Sequence, residues 1–158
     1  MIELVAGPLQ PELFPRFGIV VRAPTEPARI QLTTALNNLR SDARATLTAS
    51  RSLPQSLPLT SYTMERHRYS TQTFLPLDCA RYVAVVAPNA VDGGPDMTAA
   101  LAFLVPGDTG ISYAADTWHH PHLVLDRPAA FAVLLWRDGT TDDIETRHLD
   151  APFMLRLP

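Results

Sequence analysis

The stretch Ala100-Leu-Ala-Phe-Leu-Val105-Pro-Gly107-Asp-Thr-Gly110-Ile-Ser-Tyr-Ala114 holds two short apolar runs parted by one proline and two glycines. Apolar runs this short, rich in β-branched and aromatic residues and ended by such breakers, read as strands. The pattern continues on either side. Phe17–Arg22, Ala43–Ala49, Leu59–Glu65, Thr71–Leu77 and Tyr82–Ala87 precede it, and Leu123–Asp126, Ala130–Trp136 and Ile144–Leu149 follow. Strands recurring about every 8–12 residues predict a mainly β chain folded as an antiparallel sandwich or closed barrel, which leaves few edges open. Helix is predicted only as short pieces at Gln10–Arg16 and Arg29–Leu39 and a turn at Pro95–Ala99. The segment Asn89–Pro95 is predicted to be a surface loop.

Composition narrows the functions. The chain has 158 residues, enough for one unstapled core, and its single cysteine, Cys79, has no intrachain partner. Its formal charge is −3 and its charged fraction 18%, which excludes a polybasic surface for nucleic acid or membrane. All the basic residues are arginines, so chemistry that needs a lysine, such as a Schiff base or a phosphate-loop lysine, is excluded. The 15 prolines cut the chain into short segments and disfavour long helices. The amino terminus lacks the basic flank and apolar length of a targeting segment, and no apolar run approaches the ~20 residues of a membrane span. A soluble, cytoplasmic protein is expected.

Two polar clusters interrupt the apolar pattern. The first is Glu65-Arg66-His67-Arg68 with Gln72 beyond it; the second is Trp118-His119-His120-Pro121, preceded by Tyr113. Glu65 and His67 share one face of an extended strand, whereas adjacent histidines face opposite sides. At most one of His119 and His120 therefore shares the direction of His67. A barrel interior receiving Glu65, His67, Gln72 and one of that pair offers mixed nitrogen and oxygen donors to a divalent transition metal. His122 and His148 lack partners in sequence and read as surface residues.

The spacing Glu65-x-His67-x4-Gln72 resembles a variant of the first cupin motif, and Gly107 through His119 resembles the second. More specifically, Leu57-Pro58-Leu59, Glu65-Arg66-His67, Thr71-Gln72-x-Phe74-x-Pro76, Gly110-x-x-Tyr113 and Trp118-His119-His120-Pro121 resemble the ureidoglycolate lyase family. That resemblance implies a single cupin-like domain over residues 1–158, an antiparallel β-barrel (jelly roll) with a few short helices, forming a homodimer. It implies cleavage of ureidoglycolate to glyoxylate and urea in purine (allantoin) degradation, with a small-molecule substrate and neither nucleic acid nor membrane as partner. The implied site has Glu65, His67, Gln72 and His119 holding nickel, zinc or manganese, and no organic cofactor. His119 and His120 are its expected catalytic residues, and Arg66, Tyr113, Trp118 and Arg137 its expected substrate contacts.

Three places depart from the family pattern. Gln31, Thr33 and Asn37 stand where the family usually has an Asn, a Gly and an Arg; Asp116 stands for a Gly; and Leu135-Trp136-Arg137 shifts an arginine by one position. The alternative reading is accordingly a diverged cupin that acts on, or merely binds, another small carboxylic acid.

Overall fold

The computed structural model describes residues 1–158. Its strands are β1 (Ile2–Val5), β2 (Gly7–Pro8), β3 (Gly18–Val21), β4 (Arg44–Ser52), β5 (Leu59–Arg66), β6 (Gln72–Asp78) and β7 (Arg81–Ala87). They continue with β8 (Leu101–Pro106), β9 (Gly110–Tyr113), β10 (Trp118–His119), β11 (Leu123–Val124), β12 (Ala129–Arg137) and β13 (Glu145–Arg156). A larger sheet runs β1-β13-β5-β10-β7-β8-β2 with β11 beside β7, and a smaller one runs β3-β9-β6-β12-β4. β1 and β2 are successive and lie parallel to β13 and β8, at the two ends of the larger sheet. Joining its own edges, that sheet curls into a nearly closed barrel, and the predicted mainly β, barrel-like architecture stands.

Two cores result. Between the sheets pack Phe14, Phe17, Phe74, Tyr82, Val86, Phe103, Ile111, Tyr113, Phe131 and Leu135. Inside the curl of the larger sheet pack Leu4, Met64, Val83, Val85, Ala102, Trp118, Phe153 and Leu155. β7 feeds both, its alternate residues pointing to each, so Tyr82–Ala87 is buried on both faces and reads as an uninterrupted apolar run.

Helix is scarcer than predicted. The pieces read at Gln10–Arg16 and Arg29–Leu39 shrink to the 3₁₀ turns Phe14–Arg16 and Thr33–Ala35, beside others at Met97–Ala99 and Thr141–Asp143. Leu36 is already extended, and the backbone after it is captured by the loop at residues 69–71: Thr71 N–H donates to the Asn37 carbonyl and Leu39 N–H to the Tyr69 carbonyl. Membrane-crossing length is absent, since no helix is long and apolar enough to span a bilayer.

The Gly107 turn joins β8 to β9 and lies against the turn between β6 and β7. A Cβ at Gly107 would stand 2.0 Å from the Cys79 carbonyl oxygen and 2.6 Å from that of Ala80, both backbone atoms that cannot swing aside. Gly107→Ala is therefore expected to cost about 2–4 kcal/mol, measured as a lowered urea midpoint; an unchanged midpoint would refute this packing.

Candidate functional site

Strand alternation in β5 sends Glu65 and His67 toward the space between the sheets and Met64 and Arg66 toward the other core. β10 pairs with β5 so that His119 stands opposite Glu65. The donor atoms of Glu65, His67 and His119 consequently lie within 4.8 Å of one another. Gln72 opens β6 directly across from Tyr113 on β9, so both share the face that looks at this cluster. The Tyr113 ring stacks on His119 at 4.2 Å between centroids.

Backbone carbonyls set both imidazoles. His67 Nδ1–H donates to the Asp143 carbonyl at 2.6 Å, and His119 Nδ1–H donates to the Thr117 carbonyl at 2.9 Å. Since a carbonyl only accepts, each ring carries a proton on Nδ1, and His67, which burial keeps neutral, turns a lone pair on Nε2 inward. Both Nε2 atoms and Gln72 Oε1 are buried without a hydrogen-bond partner, and His119 Nε2 stands 3.5 Å from Glu65 Oε1. Burial and the neighbouring His119 lower the His67 pKa, keeping it neutral. Burial by itself raises the Glu65 carboxyl, but His119, His67 and His120 outweigh that and hold it below its ordinary value as a carboxylate. Two imidazoles anchored through Nδ1, one carboxylate and one amide oxygen are a donor set that fits a divalent transition metal.

The other expected residues divide. Tyr113 is in the cluster, its hydroxyl kept protonated because burial and the Glu65 charge raise its pKa. Arg137 ends β12 on the parity of Ala129, Phe131, Val133 and Leu135, which face inward, and it is exposed yet near enough for its charge to act on His67. Arg66, Trp118 and His120 are not brought to the cluster. Arg66 is spent on Glu145, Asp116 and Asn89 at 2.8–3.0 Å and lies 4.3 Å over the Trp118 ring. Trp118 is wholly buried in the curl of the larger sheet. His120 faces that side too, Nδ1–H donating to the Pro121 carbonyl at 2.7 Å and Nε2 accepting from the Ser61 hydroxyl at 3.0 Å.

The structure corrects the surface reading of His122. Its ring stacks on Phe74 at 4.7 Å, meets Phe131 edge-on at 4.1 Å, and leaves Nε2 buried without a partner. Alternation from His120, itself two residues away, carries no such signal because Pro121 lies between them, outside any strand. Asp116, by contrast, keeps the backbone a glycine would favour, with φ +68°, a conformation aspartate tolerates better than most residues.

Stacked β-sheets enclosing a cluster of His, Glu and Gln donors define a β-barrel protein with an interior polar site. A family model for ureidoglycolate lyase matches residues 1–156, and the chain belongs to that family. A ureidoglycolate lyase of Schizosaccharomyces pombe is 35% identical over 94 residues, 56% of this chain and 49% of that protein, so the match spans about half of that relative. One from Escherichia coli is 33% identical over 112 residues, 71% of this chain and 69% of its own length. Among solved structures, RmlC from Streptococcus suis aligns with a TM-score of 0.46 and 9% identity over 63% of this chain and 47% of that one.

Burial, and secondarily the charge of His119, push the His122 pKa from 6.5 down to about 4. The unfolded chain thus binds a proton that the folded chain refuses, and stability is lost as pH falls from about 6.5 toward 4, by on the order of 3 kcal/mol for this residue. Thermal melts across that range are expected to show a shallower decline in His122→Leu than in the wild type. An unchanged decline would show that the residue is not held neutral.

Proposed function

We propose that this protein is a lyase that splits ureidoglycolate into glyoxylate and urea, acting as one cupin-like domain over residues 1–158 in the cytoplasm. The observation that carries the reading is the convergence of Glu65, His67 and His119 within 4.8 Å, in a chain matched by the family over residues 1–156. The substrate is a carbinolamide. As its hydroxyl gives up a proton, the C=O bond forms, the C–N bond breaks and the leaving nitrogen takes a proton. One proton passes from oxygen to nitrogen and nothing is oxidised.

Glu65, His67, Gln72 and His119 would hold nickel, zinc or manganese, which when bound supplies Lewis-acid polarisation of the hydroxyl oxygen. The remaining work falls to the chain. Arg137, free at the strand end, clamps the substrate carboxylate in two-point geometry. Tyr113, with its proton secured, donates a hydrogen bond toward the ureido group. Glu65 is the anion of the cluster: it receives the hydroxyl proton and returns it to the leaving nitrogen, while His119, its Nδ1–H committed to the Thr117 carbonyl, faces it through Nε2 at 3.5 Å. His120, with both ring nitrogens engaged on the far face, takes no part.

His119→Asn is expected to lower glyoxylate release at least ~100-fold with the melting temperature nearly unchanged. His67→Asn and Glu65→Gln are expected to lose bound metal and turnover together, Arg137→Met to raise KM more than it lowers kcat, and His120→Asn to keep turnover. Full activity in His119→Asn would overturn the assignment. The departures at Gln31, Thr33, Asn37 and Asp116 favour one second reading, a diverged member taking another small carboxylic acid; a wild type inert on ureidoglycolate would select it.

A homodimer accords with the outer face of the smaller sheet. There Leu47 pairs with Leu134, Ala49 with Ala132 and Ala45 with Trp136, and Leu47 is 70% exposed. Sedimentation at micromolar concentration is expected to give twice the 17.4 kDa chain mass, and Leu47→Glu to shift it toward the monomer. A wild-type mass of 17.4 kDa would refute the dimer.

A further inference from the structure

The tautomer of His67 depends on one carbonyl, that of Asp143, in a turn whose neighbours Thr140, Thr141 and Asp142 are exposed. An exposed turn does not by itself hold an oxygen to hydrogen-bond precision. What holds this one is a guanidinium. Arg40 Nη2 pairs with Asp143 Oδ1 at 3.0 Å and donates to the Trp136 carbonyl at 3.1 Å, while Nη1 pairs with Asp138 Oδ2 at 3.0 Å. The Asp143 carboxylate in turn accepts from the backbone N–H groups of Asp138 and Gly139 at 2.9 Å each. One side chain, 12% exposed, thus gathers the end of β12, the turn and the carbonyl that orients His67.

Arg40 is itself anchored on the other side of His67. The Asn38 amide donates to the carbonyls of Arg40 and Ala43 at 2.8 and 3.2 Å, and Leu39 N–H and Thr71 N–H tie residues 37–39 to the loop that follows His67. Buried ion pairs are poor stabilisers because desolvation offsets their attraction, and Arg40 Nε is moreover buried without a partner. What such a cluster does deliver is position.

We propose that Arg40 is a positioning residue: through Asp143 and Asp138 it fixes the backbone carbonyl that selects the Nδ1–H tautomer of His67, and with the Trp136 carbonyl it fixes the base from which Arg137 projects. The inference deepens the lyase reading, on which the roles of His67 and Arg137 rest, but its primary test needs neither metal nor substrate. Ring ¹⁵N chemical shifts of His67 in metal-free protein near pH 7.5 are expected to report one tautomer, Nδ1–H, in the wild type. In Arg40→Met, which keeps the bulk of the side chain and removes its charge, they are expected to report a mixture of tautomers with the melting temperature within a few degrees of wild type. The same variant is expected to bind nickel about 10–100-fold more weakly and to raise KM for ureidoglycolate. Arg40→Lys, a single point charge without the planar fork, is expected to restore the tautomer only in part. A folded Arg40→Met that keeps pure Nδ1–H would overturn the proposal. Should that variant not fold, Asp143→Asn, which retains the carbonyl but weakens the ion pair, carries the test: a single unchanged tautomer there overturns it equally. A wild type inert on ureidoglycolate would remove the lyase reading and leave the tautomer result to decide this one.

Discussion

A strand buried on both faces must deliver each pair of neighbours to different compartments. At the inner end of β5, along β10 and in the residues that directly follow them, this divides Glu65, His67 and His119 from Met64, Arg66, Trp118 and His120. The division holds only while His119 stands opposite Glu65, and that register is enforced by β13 on one side of β5 and β7 beyond β10. A slip by one residue would turn Arg66 toward the cluster and Glu65 into the apolar curl. Since both compartments are largely shielded from water, with Arg66 6% and Glu65 17% exposed, either exchange would leave a mostly buried charge without its present partners, an error costlier than the loss of a few hydrogen bonds. The chemistry of the site is in this sense a consequence of sheet register.

The same burial decides protonation. Removing His67 from water disfavours its cation, while carbonyls at fixed places hold the remaining proton on Nδ1 and leave Nε2 as a donor of electrons. Glu65 experiences the opposite balance, its desolvation outweighed by three nearby histidines. A carboxylate beside a neutral His67 suits a cation or a substrate proton alike. His122, one aromatic ring further into the core, has desolvation without the compensating hydrogen bond, and its basicity falls furthest.

Much of this was legible in the residues themselves. Tyr82–Ala87, Leu101–Pro106 and Ala129–Arg137 announce strands because burial on one or both faces demands apolar residues at those periods. The short β1 and β2 did not announce themselves, since their partners β13 and β8 are remote in sequence and supply the pairing energy. Nor did the fate of Arg29–Leu39, where leucines at helical spacing lose to the hydrogen bonds that Asn37 and Asn38 make outside a helix. In the site, Glu65 and His67 followed from alternation, and so did the rule that only one of His119 and His120 faces inward. Which one could not follow, because a strand as short as Trp118–His119 has no phase of its own and takes it from β5 and β7. Arg66 misled for a related reason: it adjoins Glu65 and His67 in sequence, and adjacency in a strand means the opposite face.

The contrast between Arg66 and Arg137 carries the electrostatic logic of the site to its end. Both are arginines near the cluster, but a guanidinium can bind a carboxylate only with donors it has not already committed. Arg66 is buried, with Glu145, Asp116 and Asn89 around it, and surrendering any of them to an incoming anion would strand a charge in the protein. Arg137 is exposed at the end of an inward-facing row of β12, so exchanging water for a carboxylate there would leave no internal partner behind. Its hydration is the cost, and the bidentate geometry open only to a planar guanidinium offsets it. The lysine-free composition leaves arginine as the strong side-chain cation available at the rim, and sheet parity puts Arg137 on the inward-facing row of β12.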